Sequence, residues 1–182
     1  MRIVHRRLTI AAMLGRPEPN EAAAYYDGYI NRVPGDDVVA VLESQLEETV
    51  TFLKGISEEQ SLHRYEEGKW SMRQLLNHLN DSERIFVFRA LWFARGFPND
   101  LPGFDQDTGV AGAAADEVLW RAHVDEFRAI RQATLAFFHN LADDAWLRRG
   151  IANDSPATVR AIAYILAGHV AHHTEILKQR YL

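Results

Sequence analysis

Three histidines on two separate stretches restrict how the helices of this chain can be threaded. The segment Gly168-His169-Val170-Ala171-His172-His173 carries three of the eight histidines within five residues. It follows the apolar run Ala161-Ile162-Ala163-Tyr164-Ile165-Leu166 and leads into Glu175-Ile176-Leu177-Lys178, with no Gly or Pro after Gly168. The pattern predicts one uninterrupted helix. Positions i and i+4 share a helix face, so His169 and His173 aim at one spot. Two imidazoles so placed form half of a metal site.

The rest of the chain supplies three more helices. The first is predicted to open at Asp36 or Asp37, good N-caps, and to bury Leu42, Leu46, Thr49 or Val50, and Leu53, ending near Gly55. The second has the clearest start: Ser71-Met72-Arg73-Gln74 fits a capping box, with Trp70 and Leu75 as a hydrophobic staple. Leu75, Leu79, Ile85 or Phe86, and Arg89 follow along one side, and Gly96 and Pro98 end it. The third is predicted from about Ala114 to His139, with Val118, Leu119, Phe127, Ile130, Leu135 and Phe138 as core contacts. After a polar loop containing Asp143-Asp144 and Arg148-Arg149-Gly150, the fourth is predicted to start with Ser155 as N-cap and Pro156 at N1 and to run to about Arg180. No strand pattern or internal repeat is visible. The expected fold is all-α, a four-helix bundle over residues 36–182. Residues 1–35, punctuated by Pro17, Pro19, Gly28, Pro34 and Gly35, read as an irregular arm held on the bundle by Tyr25, Tyr26 and Tyr29.

The third ligand selects the threading. His78, in Leu75-Leu76-Asn77-His78-Leu79, is the best candidate, because a ring in apolar surroundings is costly unless its nitrogens are satisfied. His78 lies roughly 10 Å along the second helix, and His169 and His173 roughly 20–26 Å along the fourth. A simple up-down-up-down bundle would misalign them by roughly 10–15 Å. An up-down-down-up order brings them level, and it needs a long crossover between helices 2 and 3. The link from Phe97 to about Ala113, rich in Pro and Gly and unusually long for a compact domain, provides it. A His₃ set of His78, His169 and His173 suits zinc first, with nickel and iron as alternatives, and leaves a position open for water or substrate.

Other histidines and acids carry less. His172, about 60° from the His169–His173 line, reads as a packing residue, a neighbour that orients a ligand, or an alternative ligand. His5, His63, His123 and His139 read as structural or exposed. Asp81 either orients a ligand or acts as a base, or pairs with Arg84 or Arg89, and the pairing is preferred. Glu43, Glu47 and Glu48 read as a solvated helix face. Trp70, Phe86 and Trp92 are candidates for lining an apolar pocket. No histidine has a Glu three residues before it, which excludes the Glu-x-x-His di-iron pattern. HExxH, P-loop and GxSxG motifs are absent.

A net charge of −5 argues against a general electrostatic grip on nucleic acid or anionic membrane. No run approaches the ~18 apolar residues of a membrane span. The absence of cysteine removes disulfides, thiolate ligands and a cysteine nucleophile, and is compatible with the cytoplasm. The opening MRIVHRRLTIAAMLG is basic and then apolar, but its apolar run is short and Arg16-Pro17-Glu18-Pro19 follows, so the expected location is cytoplasmic.

Several of these residues carry a family likeness. Lys69-Trp70-Ser71, His78, Asp81-Ser82-Glu83-Arg84, Arg89-Ala90-Leu91 and Ala94-Arg95-Gly96 resemble the DinB/YfiT-like superfamily of metal-dependent enzymes. Leu101-Pro102-Gly103-Phe104-Asp105-Gln106-Asp107 resembles the link of one of its branches, and Gly168-His169, His172-His173 and Gln179-Arg180-Tyr181 its last helix. The likeness covers about residues 17 to 182. It implies a four-helix bundle with a divalent metal on positions matching His78, His169 and His173. It further implies a homodimer acting on a small molecule, with thiol S-transferase-like or hydrolase-like chemistry and a low-molecular-weight thiol as partner. A non-catalytic, metal-stabilised dimeric bundle or stress-response binding protein is the alternative.

Overall fold

The computed structural model describes residues 15–182. The signal-like start and His5 lie outside the described residues. The chain forms α1 (Asp27–Ile30), α2 (Val38–Lys54), α3 (Met72–Ala94), α4 (Gln106–Gly112), α5 (Trp120–His139), β1 (Arg149–Ala152), β2 (Ser155–Thr158) and α6 (Val159–Ile176). The last helix widens into a π turn over Leu177–Tyr181.

Four long helices, α2, α3, α5 and α6, make an up-down-down-up bundle, as the histidine positions require. Named contacts fix each direction. Gln45 donates to the Ala167 carbonyl at 2.8 Å and the Lys178 ammonium lies over the Phe52 ring, so α2 and α6 run parallel. The Trp120 indole donates to the Leu53 carbonyl while His139 meets Glu43, so α5 is antiparallel to α2. The Tyr181 hydroxyl, beyond the end of α6, donates to the Trp70 carbonyl just before α3. Arg73 donates to the Val118 carbonyl and Arg131 to Glu83, so α3 and α5 run parallel.

Local chemistry explains two starts. Asp37 caps α2 by accepting from the Ala40 amide. Ser71 and Gln74 form the reciprocal capping box of α3. The start of α5 differs from expectation. It begins at Trp120, not near Ala114, and its N-cap Leu119 has no capping side chain. The Glu58 carboxylate fills that place, accepting from the amides of Trp120 (2.7 Å) and Arg121 (3.2 Å). Burial would raise the Glu58 carboxyl, but these amide bonds, with the charges of Arg73 and Arg121, hold it below its ordinary value.

The fourth helix also starts later than its sequence suggested. Thr158, not Ser155, is the N-cap of α6 and accepts from the Ala161 amide. Ser155 and Pro156 belong instead to β2, which pairs antiparallel with β1. This hairpin is the strand structure that the sequence reading missed. Asn153 and Asp154 both have positive φ, 53° and 55°, as a two-residue type I′ turn demands. Leu101, from the long link, bridges to the hairpin: its amide donates to the Ile151 carbonyl and its carbonyl accepts from the Asn153 amide. The link is therefore built rather than loose, with α4 inside it and its own cap at Asp105.

Residues 15–35 are tied down at several points. The Glu21 carboxylate accepts from Thr158 and pairs with the buried Arg160. Burial alone would raise the Glu21 carboxyl, but the bonds from Arg160, the Glu18 amide and Thr158 hold it below its ordinary value. The Arg16 guanidinium donates to the carbonyls of Ile30 and Val33. The backbone of α1 crosses α6 at Gly168, where any Cβ would overlap the Tyr29 carbonyl. That crossing lies one residue before His169.

Apolar side chains form two clusters. One, toward the hairpin end, gathers Leu42, Phe93, Phe138, Trp146, Ile162 and Leu166. The other gathers Leu53, Met72, Leu76, Trp120, Phe127 and Leu177. Each such side chain contributes about 1.5–3 kcal/mol by leaving water. Between the two clusters lies a polar layer. Arg131 donates twice to Glu83, at 2.7 and 2.9 Å, and also to Gln45 and the Leu42 carbonyl.

Candidate metal centre

His78 projects from α3 and His169 and His173 from α6, and their rings meet where the antiparallel helices cross. The Nε2 atoms of His78 and His173 lie 3.2 and 3.1 Å from Nε2 of His169. One ligand atom from each of the three residues lies within 4.8 Å of the other two. Four-coordinate zinc–imidazole bonds of about 2.0–2.1 Å would put such nitrogens about 3.3 Å apart. The His78–His169 and His169–His173 pairs therefore have that spacing.

Hydrogen bonding among the rings does not account for this arrangement. Three Nε2 atoms face a common point, and each pair can share only one proton. Protonation is opposed as well. Burial lowers the His78 pKa to about 4. Burial, followed by repulsion from His78 and His172, lowers that of His173 to about 3. His169 is held well below its ordinary value by burial and then by His173, His78 and His172. Three neutral imidazoles with converging lone pairs are ligands for a soft or borderline cation.

The surroundings orient the rings. The Ser82 hydroxyl, one turn beyond His78 on α3, lies 3.4 Å from His78 Nδ1. A hydroxyl acceptor at Nδ1 favours the tautomer that leaves Nε2 free. The Trp70 ring lies 5.0 Å from that of His78, and Tyr29 and Phe86 lie 5.3 and 6.0 Å from that of His169. His173 Nδ1 is buried with no hydrogen-bond partner among the described residues.

A cavity of about 360 Å³ opens beside His78 and His169. Its wall combines Tyr26 and Tyr29 from the arm, Ser82, Phe86 and Arg89 from α3, and Asn153 and Ser155 from the hairpin. Burial, then the neighbouring Tyr25, raises the Tyr29 phenol to about 12, so it stays protonated. A second hollow, of about 320 Å³, touches His173 and is walled by Tyr65, Trp70, Asp107 and Tyr181.

The remaining candidates fall elsewhere. His172 packs on Tyr29 and is not one of the converging residues. Burial and then the Arg32 charge lower its pKa. Asp81 accepts from Asn77 and Arg84 and does not line the cavity. Its pairing is with Arg84; Arg89 takes another course. His123 is buried against the Ala115 carbonyl, His139 meets Glu43, and His63 stands edge-on to Tyr181. Of the three aromatics expected in a pocket, Phe86 lines the cavity and Trp70 the second hollow, whereas Trp92 donates to the Asn99 carbonyl and stacks near Phe97. Sequence reasoning gave no site role to Ser82, Asn153, Ser155 or Arg89. The Asn153-Asp154 pair was the available signal for the hairpin half of the wall.

Comparison with known proteins agrees with the architecture. A family model described as the DinB superfamily matches residues 42–177. Among solved structures, the fold is similar to that of YfiT from Bacillus subtilis, described as a probable metal-dependent hydrolase with an unusual four-helix bundle topology. The two share 17% sequence identity with a TM-score of 0.64, over 94% of this chain and 97% of that one. No curated protein sequence matches the chain.

Proposed function

The chain belongs to the DinB superfamily, and on that premise we propose that His78, His169 and His173 hold one divalent transition metal ion in an enzyme acting on a small molecule. Zinc and nickel come before iron. The observation that carries the reading is the convergence of three neutral Nε2 atoms, 3.1 and 3.2 Å apart, beside a cavity of ligand size. Three protein ligands leave a coordination position open. A metal bound there supplies Lewis acidity, which lowers the pKa of a bound water or thiol and polarises an electrophile.

The chain's own groups do the rest. Ser82 holds the His78 tautomer, and Trp70, Phe86 and Tyr29 keep bulk water from the imidazoles. The Tyr29 phenol remains an O–H donor, placed to stabilise an oxygen that gains negative charge during attack. Asp107 lines the hollow beside His173, but none of the residues lining the cavity beside His78 and His169 is a carboxylate, so within that cavity no acidic side chain is at hand to take a proton from the nucleophile. That favours a thiol, with an ordinary pKa of about 8.5, over water at about 15.7. Thiol S-transferase-like chemistry is therefore the first reading. A hydrolase-like reaction is the second, favoured by the description of the Bacillus subtilis neighbour. A homodimer in the cytoplasm, using a low-molecular-weight thiol, belongs to the first reading. Among the described residues, no helix is long and apolar enough to cross a membrane.

The test uses untagged, metal-loaded protein and an electrophile panel, with and without cysteine, glutathione, bacillithiol or mycothiol. A thiol conjugate, lost on metal removal and in His78→Ala, is expected. Electrophile consumption without thiol assigns the hydrolase reading instead. Stoichiometric metal with neither reaction points to a metal-stabilised bundle without catalysis.

A further inference from the structure

Arg89 is a buried cation whose charge is not met. It is 8% exposed, and among the described residues its one hydrogen-bond acceptor is the Pro102 carbonyl, 3.1 Å from Nη2. Among the described residues, no carboxylate lies within ion-pair distance of it. The three other buried arginines among these residues differ in this respect: Arg73 meets Glu58, Arg131 meets Glu83 and Arg160 meets Glu21. A guanidinium has five N–H donors in a planar fork suited to a carboxylate. Burying one without an anion is expensive.

The unmet charge faces the cavity beside the histidines. Arg89 lines it together with His78, His169, Tyr29 and Phe86, and no acidic residue shares the wall. His78 and Arg89 are eleven residues apart on α3, three turns and about 16 Å along one face. The guanidinium carbon lies 6.0 Å from the Phe86 ring, which in turn lies 6.0 Å from the His169 ring. One phenyl ring thus separates the cation from the triad, on an otherwise aromatic and neutral polar wall.

We propose that Arg89 is the anchor for the carboxylate of a small organic acid, whose other end reaches the histidine triad along Phe86. The assignment rests on the cavity's being the substrate site of the metalloenzyme inferred above, and narrows its substrate class. At its end of the cavity, apart from the charge a metal brings to the triad, a single guanidinium with no lysine and no second arginine among the lining residues matches one carboxylate. A phosphate dianion would leave one charge unmet.

Calorimetric titration of the full chain tests this. Propanoate, butanoate, pentanoate and hexanoate are compared with their primary amides, first on zinc-loaded protein and again after chelation. In both states the acids are expected to bind about tenfold or more tighter than the amides, as charge-assisted bonding to a buried guanidinium implies. Arg89→Met should reduce the preference to within about twofold, with zinc content unchanged. If that variant does not fold, Arg89→Lys, which keeps the charge but loses the planar fork, should lower the preference severalfold. Four results overturn the proposal: no acid preference in the wild type, a preference that survives both substitutions, a preference seen only with zinc, or methyl phosphate binding the chelated protein more tightly than propanoate. Failure of the metal reading looks different. Zinc would then not depend on His78 and His173, while the chelated protein would still report the Arg89 preference.

Discussion

Arg131 and His169 are both buried at mid-height in the bundle, between the same two apolar clusters, and both are surrounded by polar atoms. Their surroundings teach different things. Arg131 is met by the Glu83 carboxylate, Gln45 and the Leu42 carbonyl, so opposite charge and hydrogen bonds close the cluster from within. His169 is met by two more imidazoles, whose lone pairs compete for the same point. A buried polar cluster that satisfies itself holds helices together. One made of like groups requires something from outside. The first reads as architecture and the second as a site.

The contrast can be broken from either side. The largest effect is expected from Glu83→Ala, which strands the Arg131 guanidinium. Removing one partner of a buried pair costs about 3–5 kcal/mol, read by urea denaturation, and added zinc should restore only what it gives the wild type. Zinc itself comes next. At free concentrations about 1,000-fold above its dissociation constant it should stabilise the wild type by about 4 kcal/mol. His78→Ala and His173→Ala should lose that gain, measured as the shift in melting temperature with metal.

Gly168→Ala probes how the arm is held beside the triad. Its methyl group would overlap the Tyr29 carbonyl, and overpacking of this kind costs about 1–3 kcal/mol. Denaturation should show that loss, and zinc affinity should fall as the ring of Tyr29 moves from His169.

The most gradual effect, smallest when taken per ring and per pH unit, is a pH dependence of the metal-free protein. Folding depresses His78 to about 4 and His173 to about 3, below the ordinary value near 6.5. Between these values the unfolded chain binds protons that the folded one refuses, so stability is full above about pH 6.5 and falls as the pH drops toward 4. The slope is at most about 1.4 kcal/mol per pH unit for each ring. Stability curves of wild type and His78→Gln should converge across that window.

These two regions also separate what the sequence reveals from what it hides. The start of α3 was legible because Trp70, Ser71, Gln74 and Leu75 act on one another within a single turn. The threading was legible because three histidines had to come level and residues 97–113 were long enough to allow it. The start of α5 was not, because its cap is Glu58, which lies in the connection after α2. The hairpin was hidden by its four-residue strands, and Ser155-Pro156 offered a plausible helix start in competition with Thr158. The Glu83–Arg131 pair and the unmatched Arg89 were equally hidden. On one helix stripe a charged residue with a distant partner looks the same as one without.

Metal analysis of untagged protein tests the central claim most directly. Elemental mass spectrometry of the wild type and of His78→Ala, His169→Ala and His173→Ala should show one divalent transition metal per chain, lost in each variant. A wild type with far less than one metal per chain, or with metal that stays when His78 and His173 are replaced, would contradict the account.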